Sequence, residues 1–270
     1  MKKLALVIGI GTGYPDPYKI ASTKYDVVDV TNTLVAKGFT VTKLLDTYAT
    51  KVNILNYMAN IVGRAYSGDS IVIVFIGHGT YLPGNTPDGR MECICPCDIN
   101  VRTGANVITD VMIAIVLSKL RSGVSCDFVN GVCFSGTSTR ADSLTNSMGI
   151  ESDQITDIHI IPGIKILYEE NPIPTPEPIV LETDRAVFVP TLNHVLWAAS
   201  ASNEYSHGVK VNGIPRNIYI YLWCLYIRTY GLVKSRWQID NLLTYKLLSI
   251  VPQHCQLEGP SKELYQKPFT

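Results

Sequence analysis

Ile71-Val72-Ile73-Val74-Phe75-Ile76-Gly77-His78-Gly79 is an unbroken apolar run that ends in a histidine set between two glycines. Rich in β-branched residues and too short for a buried helix, it reads as a strand covered on both faces. A second run, Cys126-Asp127-Phe128-Val129-Asn130-Gly131-Val132-Cys133-Phe134-Ser135-Gly136, stops in the same way, at a cysteine followed by a turn. Two buried strands, each delivering one reactive side chain at its carboxyl end, already favour a parallel sheet with a site along one edge.

Outward from these runs, apolar strands alternate with amphipathic stretches. Leu4–Ile10 and Phe39–Leu45 read as strands, and Ala21–Lys37 as a helix closed by Gly38. Thr50–Tyr66 places Val52, Ile54, Leu55, Met58, Ile61 and Val62 at helical spacing. Leu82–Asp98 reads as an irregular hairpin, and Thr109 as the N-cap of a helix over Asp110–Leu120. A strand over Asn193–Ala199 and helices over Pro215–Tyr230, with Pro215 at the start, and Trp237–Ile250 complete the series. The polar, then proline-rich stretch Thr137–Pro190 stands apart as a long connector. The fold class is therefore α/β, with a mainly parallel central sheet and helices on both faces.

Composition narrows the function classes. Hydrophobic residues make up 46% of the 270 positions and charged ones 17%, which suits a large buried core. The formal net charge of 0 points away from nucleic acid and anionic membranes. Leu4–Ile10 lacks a following cleavage site, and Ile218–Ile227 is too short to span a bilayer. The 7 cysteines suit reduced thiols better than a disulfide framework. A soluble cytoplasmic protein with no membrane partner is the expectation.

A histidine and a cysteine at neighbouring strand ends have the makings of a thiol-protease dyad. A cysteine nucleophile needs thiolate character, an imidazole and donors for the developing oxyanion. His78 and Cys133 supply the first two. The backbone N–H groups of Gly79 and Cys133 are the candidate oxyanion donors. Three other signals are weaker. Gly9-Ile10-Gly11-Thr12-Gly13 has the look of a dinucleotide loop, but Pro15 and Pro17 interrupt the helix it needs, so a turn is expected. Cys93, Cys95 and Cys97 alternate along one strand without a second ligand pair, and no metal site is expected. His207 reads as a solvated loop histidine near the substrate groove.

The chain resembles the caspase-like cysteine peptidases of clan CD, and metacaspases in particular. The resemblance runs from Leu4 to about Phe269. It rests on Leu6-Val7-Ile8-Gly9-Ile10, Gly38-Phe39, Gly68-Asp69-Ser70, Gly77-His78-Gly79, the hairpin from Asp88-Gly89-Arg90 to Cys97-Asp98, Cys133-Phe134-Ser135-Gly136-Thr137 and Leu196-Trp197-Ala198-Ala199-Ser200-Ala201-Ser202. It implies a caspase-like three-layer sandwich forming one domain over residues 1–270. Within it, 1–136 would match a large subunit, 137–190 a connector open to self-cleavage, and 191–270 a small subunit. It also implies a cysteine endopeptidase acting on peptide or protein substrates as a monomer, with His78 and Cys133 as the dyad. Thr23, Asp26, Ile76, Gly131, Ser200 and Ser202 would line the substrate pocket.

The chain also leaves the family pattern. Gly131 stands where metacaspases carry an acid two residues before the nucleophile, and Ile76 where they commonly carry serine. With Asp26 as the remaining counter-charge, cleavage after Arg or Lys is the expectation, and a neutral or polar P1 residue the alternative. Thr109-Asp110-Val111 offers one acid where calcium-dependent relatives carry an aspartate pair. No cofactor is therefore expected, and calcium dependence stays an alternative that the single Asp110 argues against. The competing function is a caspase-fold binding or scaffold protein with degraded pocket chemistry.

Overall fold

The apolar run from Ile71 to Ile76 lies in β3 (Ser70–Ile76), buried at every position. From Ile71 to Ile76 its side chains alternate between two cores, which is why these six are all apolar. Ile71, Ile73 and Phe75 join one core, Val72, Val74 and Ile76 the other. A fully buried side chain of this kind contributes about 1.5–3 kcal/mol.

The computed structural model describes residues 1–83, 90–132, 155–158, 193–200 and 204–269. Around β3 the chain runs β1 (Lys3–Gly9), α1 (Thr23–Ala36), β2 (Thr40–Leu45), a 3-10 turn (Asp46–Tyr48) and α2 (Lys51–Gly63). After β3 come β4 (Gly79–Pro83), β5 (Arg90–Ile94), β6 (Ile108–Thr109), α3 (Asp110–Leu117) and β7 (Ser125–Asn130). The remainder is β8 (Ile155–Ile158), β9 (Val195–Ala198), β10 (His207–Val211), β11 (Ile214–Asn217), α4 (Ile218–Tyr230), α5 (Arg236–Leu248), β12 (Gln256–Glu258) and α6 (Ser261–Leu264).

The main sheet has the order β12-β9-β7-β3-β1-β2. Every neighbouring pair is parallel except β12 with β9. Ile54 and Met58 of α2 and Leu117 of α3 pack on one face. On the other lie Val30 and Leu34 of α1, Trp223 of α4 and Leu243 of α5. Three layers result, as expected from strands apolar on both sides. Thr50 and Thr109 cap α2 and α3 by accepting from the amides of Asn53 (3.3 Å) and Met112 (3.2 Å), each cap being worth about 1 kcal/mol.

The C-terminal third is fastened by a buried ion pair. Arg236 donates to both carboxylate oxygens of Asp127, at 2.7 and 2.8 Å, and to Ser125 Oγ at 2.9 Å. Trp197 Nε1 donates to the same carboxylate at 2.7 Å. A bidentate guanidinium with every neighbour satisfied is the form in which such a pair survives burial.

Two expectations fail here. Pro215 does not open a helix: it lies in β11, paired opposite Lys210 of β10, and Asn217 caps α4 instead by accepting from the Ile220 amide at 3.1 Å. His207 is no solvated loop residue. It begins β10, is buried, and its amide and Nδ1 both face Gln253 Oε1, at 3.0 and 3.2 Å. Burial lowers its pKa. The missed hairpin turns at Asn212 and Gly213, with φ of 52° and 77°. This two-residue turn needs left-handed backbone at both positions, hence Asn-Gly.

Candidate functional site

The strand order reverses its sense of winding between β1 and β3, so a crevice opens at the carboxyl ends of these strands. The turn leaving β1 forms one wall. Its glycines do not wait for a phosphate: the amides of Gly11 and Gly13 both donate to Asp46 Oδ1, each at 2.9 Å. A Cβ on Gly13 would stand 2.7 Å from an Asp46 backbone atom. The chain's own carboxylate thus fills the nest that a dinucleotide would need.

Tyr14 follows directly. Its buried hydroxyl accepts from the His78 amide at 3.0 Å and donates to the Cys95 carbonyl at 2.5 Å. Burial pushes its pKa well above the usual phenol value, so it stays a neutral donor and acceptor. The Tyr14 and His78 ring centroids are 4.8 Å apart. Gly77 is required beside them, since a Cβ there would come within 2.7 Å of the Tyr14 oxygen.

The His78 imidazole is 4% exposed, and its Nε2 lies 2.7 Å from the Tyr18 carbonyl oxygen. A carbonyl only accepts, so Nε2 carries a hydrogen, and Nδ1 is the ring nitrogen that gains or loses a proton. Tyr18 therefore orients the ring through its backbone. Sequence reading finds no such group, because any residue type supplies a carbonyl. Gly79 stands opposite Ile94 of β5, and the Cys95 amide donates to the His78 carbonyl at 2.9 Å. That pattern marks a pair flanked by ladder bonds rather than joined by them, so the Gly79 N–H points away from β5.

Phe75 of β3 pairs with Asn130 of β7, and Gly131 continues the ladder by donating to the Phe75 carbonyl at 2.9 Å. His78 lies three positions past that pair on one strand (75 to 78). Cys133 lies three positions past it along the neighbouring sequence (130 to 133). Cys133 itself, and Ser202 with it, fall outside the described residues, as do 137–190 apart from β8.

Four expected pocket residues surround the same strand ends. Thr23 Oγ1 donates to the Ile10 carbonyl at 3.3 Å, and the Ile10 amide donates to the Ile76 carbonyl at 2.9 Å. Ile76 is wholly buried in the core. Asp26 is fully buried too, and both its oxygens accept from the Asn217 amide at 3.1 Å. Burial pushes its pKa up to about 8, with Asn217, Ser22 and Arg216 opposing. At neutral pH this carboxyl is mostly protonated, so it is a poor counter-charge for a cation. Asn217, which the sequence did not single out, donates through Nδ2 to the Gly131 carbonyl (2.7 Å) and to Ser206 Oγ (3.2 Å). It ties Asp26 to Gly131.

Gly131 has a steric reason to lack an acid. A Cβ there would lie 2.8 Å from two carbons of Ile220 and 3.2 Å from the Phe75 carbonyl oxygen. The space where the metacaspase pattern puts a second carboxylate is held by a hydrocarbon. Ser200 is buried beyond β9, where its hydroxyl donates to the Glu204 carbonyl at 3.2 Å. Of the three alternating cysteines, Cys93 and Cys95 are buried in the core. Among the described residues there is no group of three or more His, Cys, Asp or Glu that could hold a metal ion, and no helix long and apolar enough to cross a membrane. Asp110, the single acid of Thr109-Asp110-Val111, is exposed on α3.

Known proteins resemble the chain in sequence and in fold. Residues 3–141 match the family model described as "Metacaspase, peptidase C14 domain". Metacaspase-4 of Arabidopsis thaliana is 34% identical over 150 residues, covering 50% of this chain and 34% of that protein. Metacaspase-1B of Aspergillus terreus is 36% identical over 104 residues, covering 37% of this chain and 27% of that protein. The matched part of the chain thus spans only about a quarter to a third of these relatives' length. A Geobacter sulfurreducens protein of known crystal structure superposes with a TM-score of 0.70 at 18% identity, over 100% of this chain and 99% of its own. That likeness concerns the fold alone. With its family match over more than half its length and its caspase-like α/β sandwich, the chain belongs to the metacaspase family, peptidase C14.

Proposed function

We propose that this protein is a cysteine endopeptidase with His78 and Cys133 as its dyad. The observation that carries the reading is the pairing of β3 with β7. That register leads to a buried, carbonyl-oriented histidine on one strand and towards a cysteine three positions along on the next. Neighbouring parallel strands lie about 4.8 Å apart, a spacing that suits proton exchange between such side chains.

In the reaction, the Cys133 thiolate attacks the scissile carbonyl, and the oxyanion is met by the N–H groups of Gly79 and Cys133. His78, protonated at both nitrogens after taking the thiol proton, gives the Nδ1 proton to the leaving amine. The thioester is then hydrolysed by a water that His78 deprotonates, which restores the thiol. The Tyr18 carbonyl holds the ring throughout by accepting from Nε2. No cofactor enters this chemistry.

The P1 preference follows from the pocket residues. With Asp26 mostly neutral under Asn217 and Ile220 beside Gly131, the pocket suits an uncharged P1 side chain at pH 7 better than Arg or Lys. A fluorogenic peptide library varied at P1, run with Cys133→Ala as control, tests both levels. The expected result is turnover abolished in Cys133→Ala, with neutral P1 residues cut at least as fast as Arg. Strong selection for Arg at pH 7 would remove the pocket assignment. Equal turnover by Cys133→Ala would remove the dyad.

A further inference from the structure

We infer that Asp46 is a positioning residue for the His78 imidazole, acting through the loop between β1 and α1; the inference rests on the proposed role of His78. Two of the groups that hold His78 belong to this loop: the Tyr14 hydroxyl on its amide and the Tyr18 carbonyl on Nε2. Nothing regular in the loop fixes them. It is glycine-rich at its start, and glycine gives the backbone wide freedom. Within it the Tyr18 amide donates to the Pro15 carbonyl at 2.8 Å, a local turn, and the Ile20 amide donates to the Gly11 carbonyl at 3.2 Å, closing the segment that carries both tyrosines. Asp46 then pins the base of that segment, through Gly11 and Gly13.

Asp46 is itself set for the task. It begins the 3-10 turn after β2, with φ of 47°, so the sheet fixes where its carboxylate points. The restraint runs from β2 through Asp46 to the loop, and from the loop to the ring, without Asp46 touching the imidazole. Displacing a catalytic group by about 1 Å costs on the order of 100-fold in rate.

One detail makes the test clean. Both amides use the same atom, Oδ1, so Asp46→Asn keeps both bonds at a φ that Asn tolerates, whereas Asp46→Ala loses both and adds backbone strain, which the thermal midpoint reports. Asp69 provides a structural twin at the other end of the sheet. Its carboxylate also takes two backbone amides, from Lys2 (2.6 Å) and Tyr66 (3.0 Å), far from His78.

The variants Asp46→Ala, Asp46→Asn, Asp69→Ala and His78→Ala are assayed for kcat and KM on a cleaved peptide. Thermal midpoints are recorded, and the imidazole signals of 13C-histidine-labelled protein are followed by NMR. Expected for Asp46→Ala is a kcat lower by about 10- to 100-fold with KM within about 3-fold, and a shifted or multiplied His78 signal. Asp46→Asn should stay within about 3-fold of wild type, since the lost charge is not what holds the loop. Asp69→Ala should lower the thermal midpoint yet leave kcat and the His78 signal unchanged. Wild-type kcat in Asp46→Ala, impairment of Asp46→Asn to the same degree, or an equal kcat loss in Asp69→Ala would overturn the inference. So would an unchanged His78 signal in Asp46→Ala, whether or not a cleaved peptide is found. Full turnover by His78→Ala would instead overturn the peptidase reading, whatever Asp46 does.

Discussion

The two ends of the same sheet treat their buried acids in opposite ways. At the amino end, Asp127 at the start of β7 meets a guanidinium, an indole N–H and, through Arg236, the Ser125 hydroxyl. Asp69 beside it is held below the usual carboxylate range by two backbone amides. At the carboxyl end, Asp26 takes one backbone amide into a fully buried site and rises to about 8. His78 stands a few residues away along the crevice wall, tied down at its amide and at one ring nitrogen. Charge at the amino end is fully answered and serves to fasten the chain. At the carboxyl end Asp26 has no cation on it and burial raises its pKa, the kind of shift that marks candidate functional sites.

The largest effect should come from breaking the answered end. Arg236→Ala leaves Asp127 buried without its cation, and a loss of about 3–5 kcal/mol is expected in urea unfolding. A loss below about 1 kcal/mol would show that the ion pair does not fasten α5 to the sheet. Next comes the crowded floor of the crevice. Gly131→Asp forces its Cβ against Ile220 and should cost about 1–3 kcal/mol from overpacking alone. Ile220→Ala is costly alone, because the residue is fully buried, but the double variant should lose less than the sum of the two single losses. Additive losses would mean that Ile220 does not decide the absence of an acid there.

A subtler test concerns pH. The Asp26 carboxyl has a pKa near 8 in the folded chain against an ordinary 3.8. Between these values the folded state keeps a proton that the unfolded chain has released, so stability falls as pH rises from about 4 to 8. Asp26→Asn should flatten that part of the stability–pH curve, with its difference from wild type growing up to about pH 8. From about pH 7 to 9, where the folded Asp26 carboxyl ionises, the wild type should cut Arg P1 peptides progressively better relative to neutral ones. A pH-independent Arg-to-neutral ratio would show that Asp26 does not face the substrate.

What the sequence reveals depends on how local each signal is. The bounds of β3, the Thr109 cap and the strand-end position of His78 are legible because periodicity, cap chemistry and glycine punctuation act within a few residues. The β10–β11 hairpin was legible too: Asn212-Gly213 is a strong turn signal, overshadowed by the apolar run that follows. Other features could not be read. Asp46 meets Gly11 and Gly13, Asn217 meets Asp26, and Ile220 crowds Gly131 only after distant segments come together. The Tyr18 contribution is a backbone carbonyl, which leaves no trace in residue identity.

The central claim is that His78 and Cys133 act together on a peptide carbonyl. Its most direct measurement is covalent labelling by a peptidyl activated ketone, located by mass analysis in wild type and His78→Ala. One label per chain on Cys133, formed at least about 100-fold more slowly in His78→Ala, is the predicted result. No label on the wild type, a label on another cysteine, or an equal rate in His78→Ala would contradict it.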